Sequence, residues 1–298
     1  MRRLIVRPGA IGDCILSLPA LECLRAEATE VWVAAQNVPL VRTFDAVHSI
    51  ASTGIDLLGL PDRPPPATLI ARLRGFDSIV SWYGAGRAEF RAEVARLGLP
   101  FTFFDALPPE VPGVHAADFF LAQARTVSSR SCGAVPRIAC PRQGGGFTAI
   151  HPLSGSPRKN WPLENFRRLA AIVEPCQWCA GPEEQLDGAV RFDDLYDLAC
   201  WLASARLYIG NDSGITHLAA AVGTPVIALF GPTDPVVWAP RGPNVQVVHL
   251  QGDYFPNPIP LNITPSTRWS PAGEKVLSTV NAALAAGPLG STGGDDRV

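Results

Sequence analysis

Short apolar runs alternate with longer amphipathic stretches through the first half of the chain. Residues 4–6 and 31–34 have the composition of buried strands, and residues 11–27 between them carry apolar side chains at helical spacing. The same pattern predicts strands at 47–50, 78–82 and 100–103 and helices at 68–74, 88–97 and 115–126. Strands that are separated by helices are typical of parallel β-α-β units.

A second series follows residues 127–146, a stretch rich in Ser, Gly, Pro and Arg that has the composition of an interdomain linker. This series predicts strands at 147–150, 177–180 and 226–230 and helices at 162–174, 195–205, 214–222 and 271–286. We therefore expect an α/β protein with doubly wound domains at residues 1–135 and 147–270, a last helix at 271–286 and a disordered Gly-rich tail at 287–298. Two such sheets that face each other leave a cleft at the carboxyl ends of their strands.

Composition narrows the class of partner. A chain of 298 residues with 47% apolar content has room for two cores, and a net charge of -2 gives no general attraction to nucleic acid or to an anionic membrane. Residues 1–7 reach a charge after three apolar positions, so we expect no secretory signal and a cytoplasmic protein. The seven cysteines, an odd number, fit reduced thiols there, and Cys176 and Cys179 have no second pair at zinc spacing.

The most informative segment is residues 208–232, which predict a strand, a polar turn, a short Ala-rich helix and a second strand in succession. The turn places Asp212, Ser213 and Gly214 at the start of the helix, where the first backbone N–H groups have no internal partner. Such a helix N-terminus suits a phosphate, and Ser213 and His217 lie on one face of it. The alternative for His217 is a buried core histidine without a chemical role.

A second polar turn joins the opening strand to its helix at residues 7–13. Gly9 and Gly12 allow a tight turn around Ala10, and Asp13 stands at the start of the helix. A carboxylate at this position is either a general base that faces the cleft or an acid that complements the helix dipole.

A third polar loop, residues 151–165, carries Arg158 and Lys159 and ends at a helix that begins with a proline. Lysine is rare in this chain, with two among 25 basic residues, and its compact ammonium suits a phosphate. The alternative is a solvated pair of basic side chains. Glu183 and Glu184 follow the strand at 177–180 and suit either a ribose hydroxyl or the start of a helix.

Three motifs occur in order along the chain: residues 7–13 followed by 18–21, residues 159–166, and residues 210–235. Together they resemble glycosyltransferase family 9, the ADP-heptose:lipopolysaccharide heptosyltransferases and their relatives, over most of the chain. The resemblance implies a GT-B fold, in which two Rossmann-like domains face a central cleft. In such a fold the N-terminal domain binds the acceptor, the C-terminal domain binds the nucleotide sugar, and the last helix often crosses back onto the first domain.

The resemblance also implies a role for each motif. Asp13 would be the general base beside an acceptor-side loop of Gly9, Ala10 and Gly12. The donor would be bound by Lys159 and Arg158, by Glu184 or Glu183 at the ribose, and by a diphosphate cradle of Asp212, Ser213, Gly214, Ile215 and His217. Because Lys159 and the helix N-terminus place positive charge at the leaving diphosphate, no metal or other cofactor is expected, and the sequence has no Asp-x-Asp motif to hold one.

The sequence therefore predicts an inverting, metal-independent glycosyltransferase that moves a heptose from ADP-heptose to a glycan or lipid-linked saccharide in bacterial envelope and lipopolysaccharide biosynthesis. We expect no nucleic-acid partner and at most a peripheral contact with the cytoplasmic face of the inner membrane. A GT-B-like epimerase or phosphorylase with the same cradle, and a non-catalytic sugar-nucleotide-binding member of the family, stay open as alternatives. A dinucleotide oxidoreductase is disfavoured because the first turn lacks the Gly-x-Gly-x-x-Gly fingerprint.

Overall fold

The computed structural model describes residues 1–60, 62–109, 113–250 and 269–285. Within these ranges the chain forms two five-stranded sheets in which every strand pair is parallel, and apolar clusters cover both faces of each sheet. The predicted α/β fold with two doubly wound sheets is confirmed.

The first sheet and its helices form the N-terminal lobe. Its strands are β1 (Arg2–Arg7), β2 (Ala28–Val33), β3 (Ala46–Ser49), β4 (Ser78–Ser81) and β5 (Phe101–Phe103), in the order β3-β2-β1-β4-β5. Its helices are α1 (Ile11–Cys23), α2 (Ala67–Arg74), α3 (Ala88–Arg96) and α4 (Ala116–Arg125). Helix α1 is shorter than the predicted 11–27 because the Leu24 N–H closes the last turn on the carbonyl of Ala20 at 3.0 Å and the next strand begins at residue 28.

The second sheet and its helices form the C-terminal lobe. Its strands are β6 (Thr148–His151), β7 (Cys176–Trp178), β8 (Leu207–Asn211), β9 (Val226–Phe230) and β10 (Val245–His249), in the order β10-β9-β8-β6-β7. Its helices are α5 (Leu163–Ala170), α6 (Leu195–Ser204), α7 (Gly214–Ala221), α8 (Pro235–Trp238) and α9 (Pro271–Ala285). Strand β10 is not predicted from the sequence, because it is an edge strand in which Val248 alone is fully buried and its apolar pattern is therefore weak.

Each sheet has one switch point in its strand order. In the first sheet the chain reverses its direction of growth between β1 and β4, and in the second between β6 and β8. Open α/β sheets bind ligands outside the carboxyl ends of the strands at such a point. Helices α1 and α7, which follow β1 and β8, pack against each other within an apolar cluster shared by the two lobes, to which Leu21, Phe120 and Leu218 contribute.

Helix α9 corrects one expectation. It was expected to cross onto the N-terminal domain, but Val276 and Val280 are fully buried in the core of the second sheet, together with Ile150 and Phe166. Residue 286, predicted as its last residue, and the tail at 287–298 lie outside the described residues. Over the described part of the chain, none of the helices has the length and apolar character needed to span a bilayer.

Candidate functional site

A cavity of about 410 Å³ lies between the lobes where α1 and α7 begin. Eight of the residues predicted from the sequence line it: Ala10, Gly12, Asp13, Lys159, Asp212, Ser213, Gly214 and His217. The three polar turns, which are distant in sequence, therefore meet at one place. Five further lining residues had no predicted role: Leu16, Gly155, Ser156, Thr233 and Trp238.

The N-terminal wall of the cavity is the turn that connects β1 to α1. Asp13 lies in the first turn of α1 and its Oδ2 accepts the Ala10 N–H at 3.0 Å, so the carboxylate folds back over the start of its own helix. Gly9 lies behind this contact with φ of +125°, a conformation that favours glycine, and a Cβ there would lie 2.9 Å from the Cβ of Asp13. Gly9 shapes the turn and does not line the cavity.

Arg7 supports the same turn from below. The side chain is 2% exposed, donates from Nη2 to the Asp13 carbonyl at 3.2 Å, and packs over the ring of Phe120 at 4.4 Å. Burial lowers the pKa of Arg7, and the nearby Asp13 acts in the opposite direction. A buried cation thus lies directly beneath the carboxylate-bearing turn.

The C-terminal wall is the start of α7. Ser213 caps the helix by accepting the Thr216 N–H at 3.4 Å, and no acidic side chain occupies the first turn. The N–H groups of Gly214 and Ile215 have no carbonyl partner within the helix, as in every helix start. The Ile215 side chain packs against the shared apolar cluster, and Ile215 is not among the residues that line the cavity.

Lys159 and Asp212 form an ion pair at the rim of this wall. The Lys159 Nζ donates to Asp212 Oδ2 at 2.7 Å, with 34% of the lysine side chain and 6% of the aspartate side chain exposed. The aspartate is thus held in place, whereas the ammonium keeps a face toward the cavity. Arg158, the neighbouring base, is exposed and does not line the cavity.

His217 is buried between the two helix starts. It is 5% exposed, and among the described residues no group hydrogen-bonds to its Nδ1. A Cβ placed on Gly12 would lie 3.2 Å from the Cδ2 of His217, which measures how closely the lobes approach. Burial lowers the pKa of His217 to about 4, although the carboxylates of Asp212 and Asp13 act in the opposite direction. The ring is therefore neutral at neutral pH.

The structure separates the two candidate glutamates. Glu184 accepts from His151 Nε2 at 2.9 Å and from the Gly181 N–H at 2.6 Å, whereas Glu183 is exposed. Burial acts to raise the pKa of Glu184, but these two hydrogen bonds and the charges of His151 and Arg191 together lower the pKa. The other ring nitrogen of His151, Nδ1, faces the Ser213 hydroxyl at 3.4 Å. Neither glutamate lines the cavity, but Glu184 is connected through His151 to the cap of α7.

Most of the lining residues that were not predicted from the sequence follow the carboxyl ends of strands. Thr233 and Trp238 come just after β9 and Gly155 and Ser156 just after β6, and ligands of doubly wound sheets bind at the carboxyl ends of such strands. Leu16 is three residues after Asp13 and so lies on the same face of α1. Cys176 and Cys179 are free thiols, and no group of three or more possible metal ligands occurs among the residues that the structure describes.

Known proteins resemble this chain in sequence and in fold. The family model of glycosyltransferase family 9 (heptosyltransferase) matches residues 134–257. Lipopolysaccharide heptosyltransferase 3 of Escherichia coli is 42% identical over 87 residues, which are 29% of this chain and 24% of that protein. Lipooligosaccharide heptosyltransferase 2 of Haemophilus influenzae is 28% identical over 118 residues, 32% of this chain and 33% of that protein. The matches thus span a quarter to a third of the length of these relatives.

Solved structures extend the similarity in fold to nearly the whole chain. A glycosyl transferase family 9 protein from Veillonella parvula superposes with a TM-score of 0.69 at 16% identity, covering 96% of this chain and 97% of that one. The E. coli heptosyltransferase WaaC with ADP superposes with a TM-score of 0.64 at 18% identity, covering 95% of this chain and 100% of that one. The predicted GT-B arrangement of two Rossmann-like halves is confirmed. Through residues 134–257 the chain is similar to glycosyltransferase family 9, as its motifs predict.

Proposed function

We propose that this protein is an inverting, metal-independent glycosyltransferase that moves a heptose from ADP-heptose to a glycan or lipid-linked saccharide in bacterial envelope and lipopolysaccharide biosynthesis. The observation that carries the proposal is that Asp13 and the positively charged start of α7 line one cavity. The proposal is supported by relatives that are lipopolysaccharide and lipooligosaccharide heptosyltransferases and by similarity in fold to a heptosyltransferase structure that contains ADP.

In this mechanism Asp13 is the general base. It accepts the proton of the acceptor hydroxyl while the hydroxyl oxygen bonds to the anomeric carbon from the face opposite the diphosphate. The bond from the anomeric carbon to the diphosphate oxygen breaks at the same time, so configuration inverts and the electron pair leaves with the nucleoside diphosphate. The acceptor binds beside the turn of Gly9, Ala10 and Gly12 in the N-terminal domain, proposed as residues 1–135.

The leaving diphosphate is stabilised by the second domain, proposed as residues 147–270. Lys159 and the N–H groups at the start of α7 place positive charge where negative charge develops, with Asp212, Ser213 and His217 around them. Glu184, whose lowered pKa keeps it ionised at neutral pH, holds the ribose hydroxyls. We assign the donor site no divalent cation because this cradle already supplies the positive charge.

Transfer is tested with purified protein, ADP-heptose and a lipid-linked saccharide acceptor, with release of ADP, product mass and the anomeric configuration by NMR as readouts. We expect ADP release that depends on the acceptor, that is unchanged by EDTA, and that gives a product of inverted anomeric configuration. Release of ADP without an acceptor would indicate hydrolysis, whereas conversion of the donor to an isomer of the same mass without release of ADP would indicate epimerisation. Thermal shifts with ADP, UDP and GDP test the nucleotide: a preferred ligand raises the midpoint by mass action, and a UDP or GDP preference would contradict the ADP assignment.

A further inference from the structure

A segment of the C-terminal lobe, residues 231–241, lines the cavity and then attaches to the other lobe. The Asp234 side chain starts the one-turn helix α8 by accepting the Val236 N–H at 2.9 Å. Thr233, just before this helix, and Trp238, its last residue, both line the cavity. The backbone of Trp238 is fixed by its N–H, which bonds to the Asp234 carbonyl at 3.1 Å.

The far end of this segment is held by α4 of the N-terminal lobe. His115 Nε2 lies 2.9 Å from the Ala239 carbonyl, and Arg241 Nη1 donates to Asp118 Oδ1 at 2.7 Å, with a second bond from Nη2 to Oδ2. His115 Nδ1 accepts the Ala117 N–H at 3.2 Å, so the proton of the neutral ring lies on Nε2 and is donated to Ala239. We call these three side chains, His115, Asp118 and Arg241, the cross-lobe latch.

The cavity that this segment closes has two kinds of wall. Lys159 and the start of α7 provide positive charge, while Leu16 and the half-buried indole of Trp238 are its large apolar side chains. A nucleotide sugar has the same division, because its diphosphate is anionic and its pyranose ring presents an apolar face of C–H groups. A flat aromatic ring offers a large rigid surface to such a face at little conformational cost.

We propose that Trp238 is a specificity-determining residue that packs against the transferred sugar, and that the cross-lobe latch consists of positioning residues that hold Trp238 over the cavity. This inference rests on the proposed function, since it assigns the sugar end of the same donor. It makes the sugar pocket a product of both lobes: the C-terminal lobe supplies the indole, and the N-terminal lobe fixes its position.

Trp238→Ala tests whether the Trp238 indole packs against the transferred sugar. We expect the KM for ADP-heptose to rise roughly fivefold to tenfold, while the Kd for ADP alone changes less than about twofold, because ADP lacks the sugar that the indole contacts. Trp238→Phe, which keeps a flat ring, should retain most of the affinity. Trp201→Ala is the matched control, since Trp201 lines a different surface cavity on α6 and should change neither constant.

Equal weakening of ADP and ADP-heptose binding by Trp238→Ala, or no weakening of either, overturns the assignment. If that variant does not fold, Trp238→Leu replaces it, because it keeps apolar bulk and loses only the flat face. Wild-type protein that binds neither ADP nor ADP-heptose would instead overturn the proposed function, so the two failures are distinguishable.

The cross-lobe latch is tested by removing each charge of the Asp118–Arg241 pair and then by exchanging the two charges. Arg241→Ala and Asp118→Ala should each raise the KM for ADP-heptose about two- to fivefold without changing the Kd for ADP, as expected for a partly exposed ion pair, with 24% and 52% of the side chains exposed. The double reversal Asp118→Arg with Arg241→Asp should recover most of the loss. Arg96→Ala is the control, because it breaks the Glu93–Arg96 pair within α3. Single variants that match wild type, or a reversed pair without recovery, reject the latch.

Discussion

Helices α1 and α7 begin at the same cavity, but the side chains at their positively charged N-termini differ. Helix α1 has a carboxylate of its own, because Asp13 in its first turn accepts the Ala10 N–H at 3.0 Å. Helix α7 has Ser213 as a neutral cap and no acid in its first turn. Unpaired N–H groups and the helix dipole favour an anion at either end. One end is therefore satisfied by the protein and the other is left for a ligand.

This difference gives the two sides of the cleft different chemical roles. A carboxylate that already belongs to the chain is available for a proton, whereas an uncompensated helix start is available for a phosphate. The two helix starts approach closely, with the Cδ2 of His217 only 3.2 Å from where a Gly12 Cβ would be, and leave one small space in which both can act in the same reaction. The arrangement suits transfer between two substrates better than binding of one.

Removal of the negative charge at α1 is expected to have the largest effect. Asp13→Asn keeps the size and the acceptor oxygen for the Ala10 N–H but cannot take a proton, so kcat should fall at least about a hundredfold while the Kd for ADP-heptose stays nearly constant. Steady-state kinetics and isothermal titration measure the two. Asp56→Asn, an exposed aspartate of the same lobe, is the control. Normal turnover by Asp13→Asn would show that the base lies elsewhere.

The second largest effect is expected in the pH dependence of stability, and it comes from His217, the buried histidine between the two helices. The unfolded chain titrates His217 near 6.5 and the folded chain near 4, so between these values protons bind only the unfolded state. The free energy of unfolding should therefore fall as the pH is lowered through this window, by up to about 3 kcal/mol, and the contribution is fully present above pH 6.5.

Urea unfolding of wild type and His217→Leu at several pH values measures this slope. The variant should show a shallower fall below pH 6.5, although His115, whose pKa is also lowered by burial, continues to contribute in the same direction. His48→Gln serves as the control because that side chain is 41% exposed. Parallel curves for wild type and His217→Leu would mean that His217 is not held neutral by burial.

The third largest effect is expected from loss of the positive charge beside the start of α7. Lys159→Ala removes the ammonium that pairs with Asp212 at 2.7 Å, and the Kd for ADP should rise about ten- to thirtyfold. This rise corresponds to roughly 1.4 to 2 kcal/mol, the lower part of the range for hydrogen bonds to charged groups. Lys275→Ala is a matched control because, within the described part of the chain, Lys275 bonds only to the exposed His249 carbonyl. Equal ADP affinity in Lys159→Ala and wild type would refute a phosphate role for Lys159.

The two helix starts are predictable from the sequence, but several residues that line the space between them are not. The turns at Asp13 and Ser213 are local features, because glycine, capping residues and a following apolar helix are close in sequence. The path of α9 and the wall at Trp238 depend on packing between distant segments, which no periodicity encodes. The choice between Glu183 and Glu184 likewise depends on His151, a residue of another strand.

The contact between the helices themselves is expected to give the smallest effect. A Cβ on Gly214 would lie 2.6 Å from the Cβ of Ile11 and 3.2 Å from the backbone nitrogen of Gly12, so α1 and α7 must separate in Gly214→Ala. Overpacking costs about 1 to 3 kcal/mol, and the better helix propensity of alanine offsets about 1 kcal/mol of it, which leaves a net loss near 1 kcal/mol in the free energy of unfolding.

Urea unfolding compares Gly214→Ala with Gly133→Ala, a control in open space with no atom within 4 Å of the added Cβ. Only the first should lose stability, and it should also bind ADP-heptose more weakly because separation of the helix starts widens the cavity that they share. If Gly214→Ala is as stable as wild type and binds the donor equally well, then α1 and α7 do not meet at this distance in solution. The two helix starts would in that case be too far apart to act in one reaction, and the single reaction space inferred from their contact would be lost.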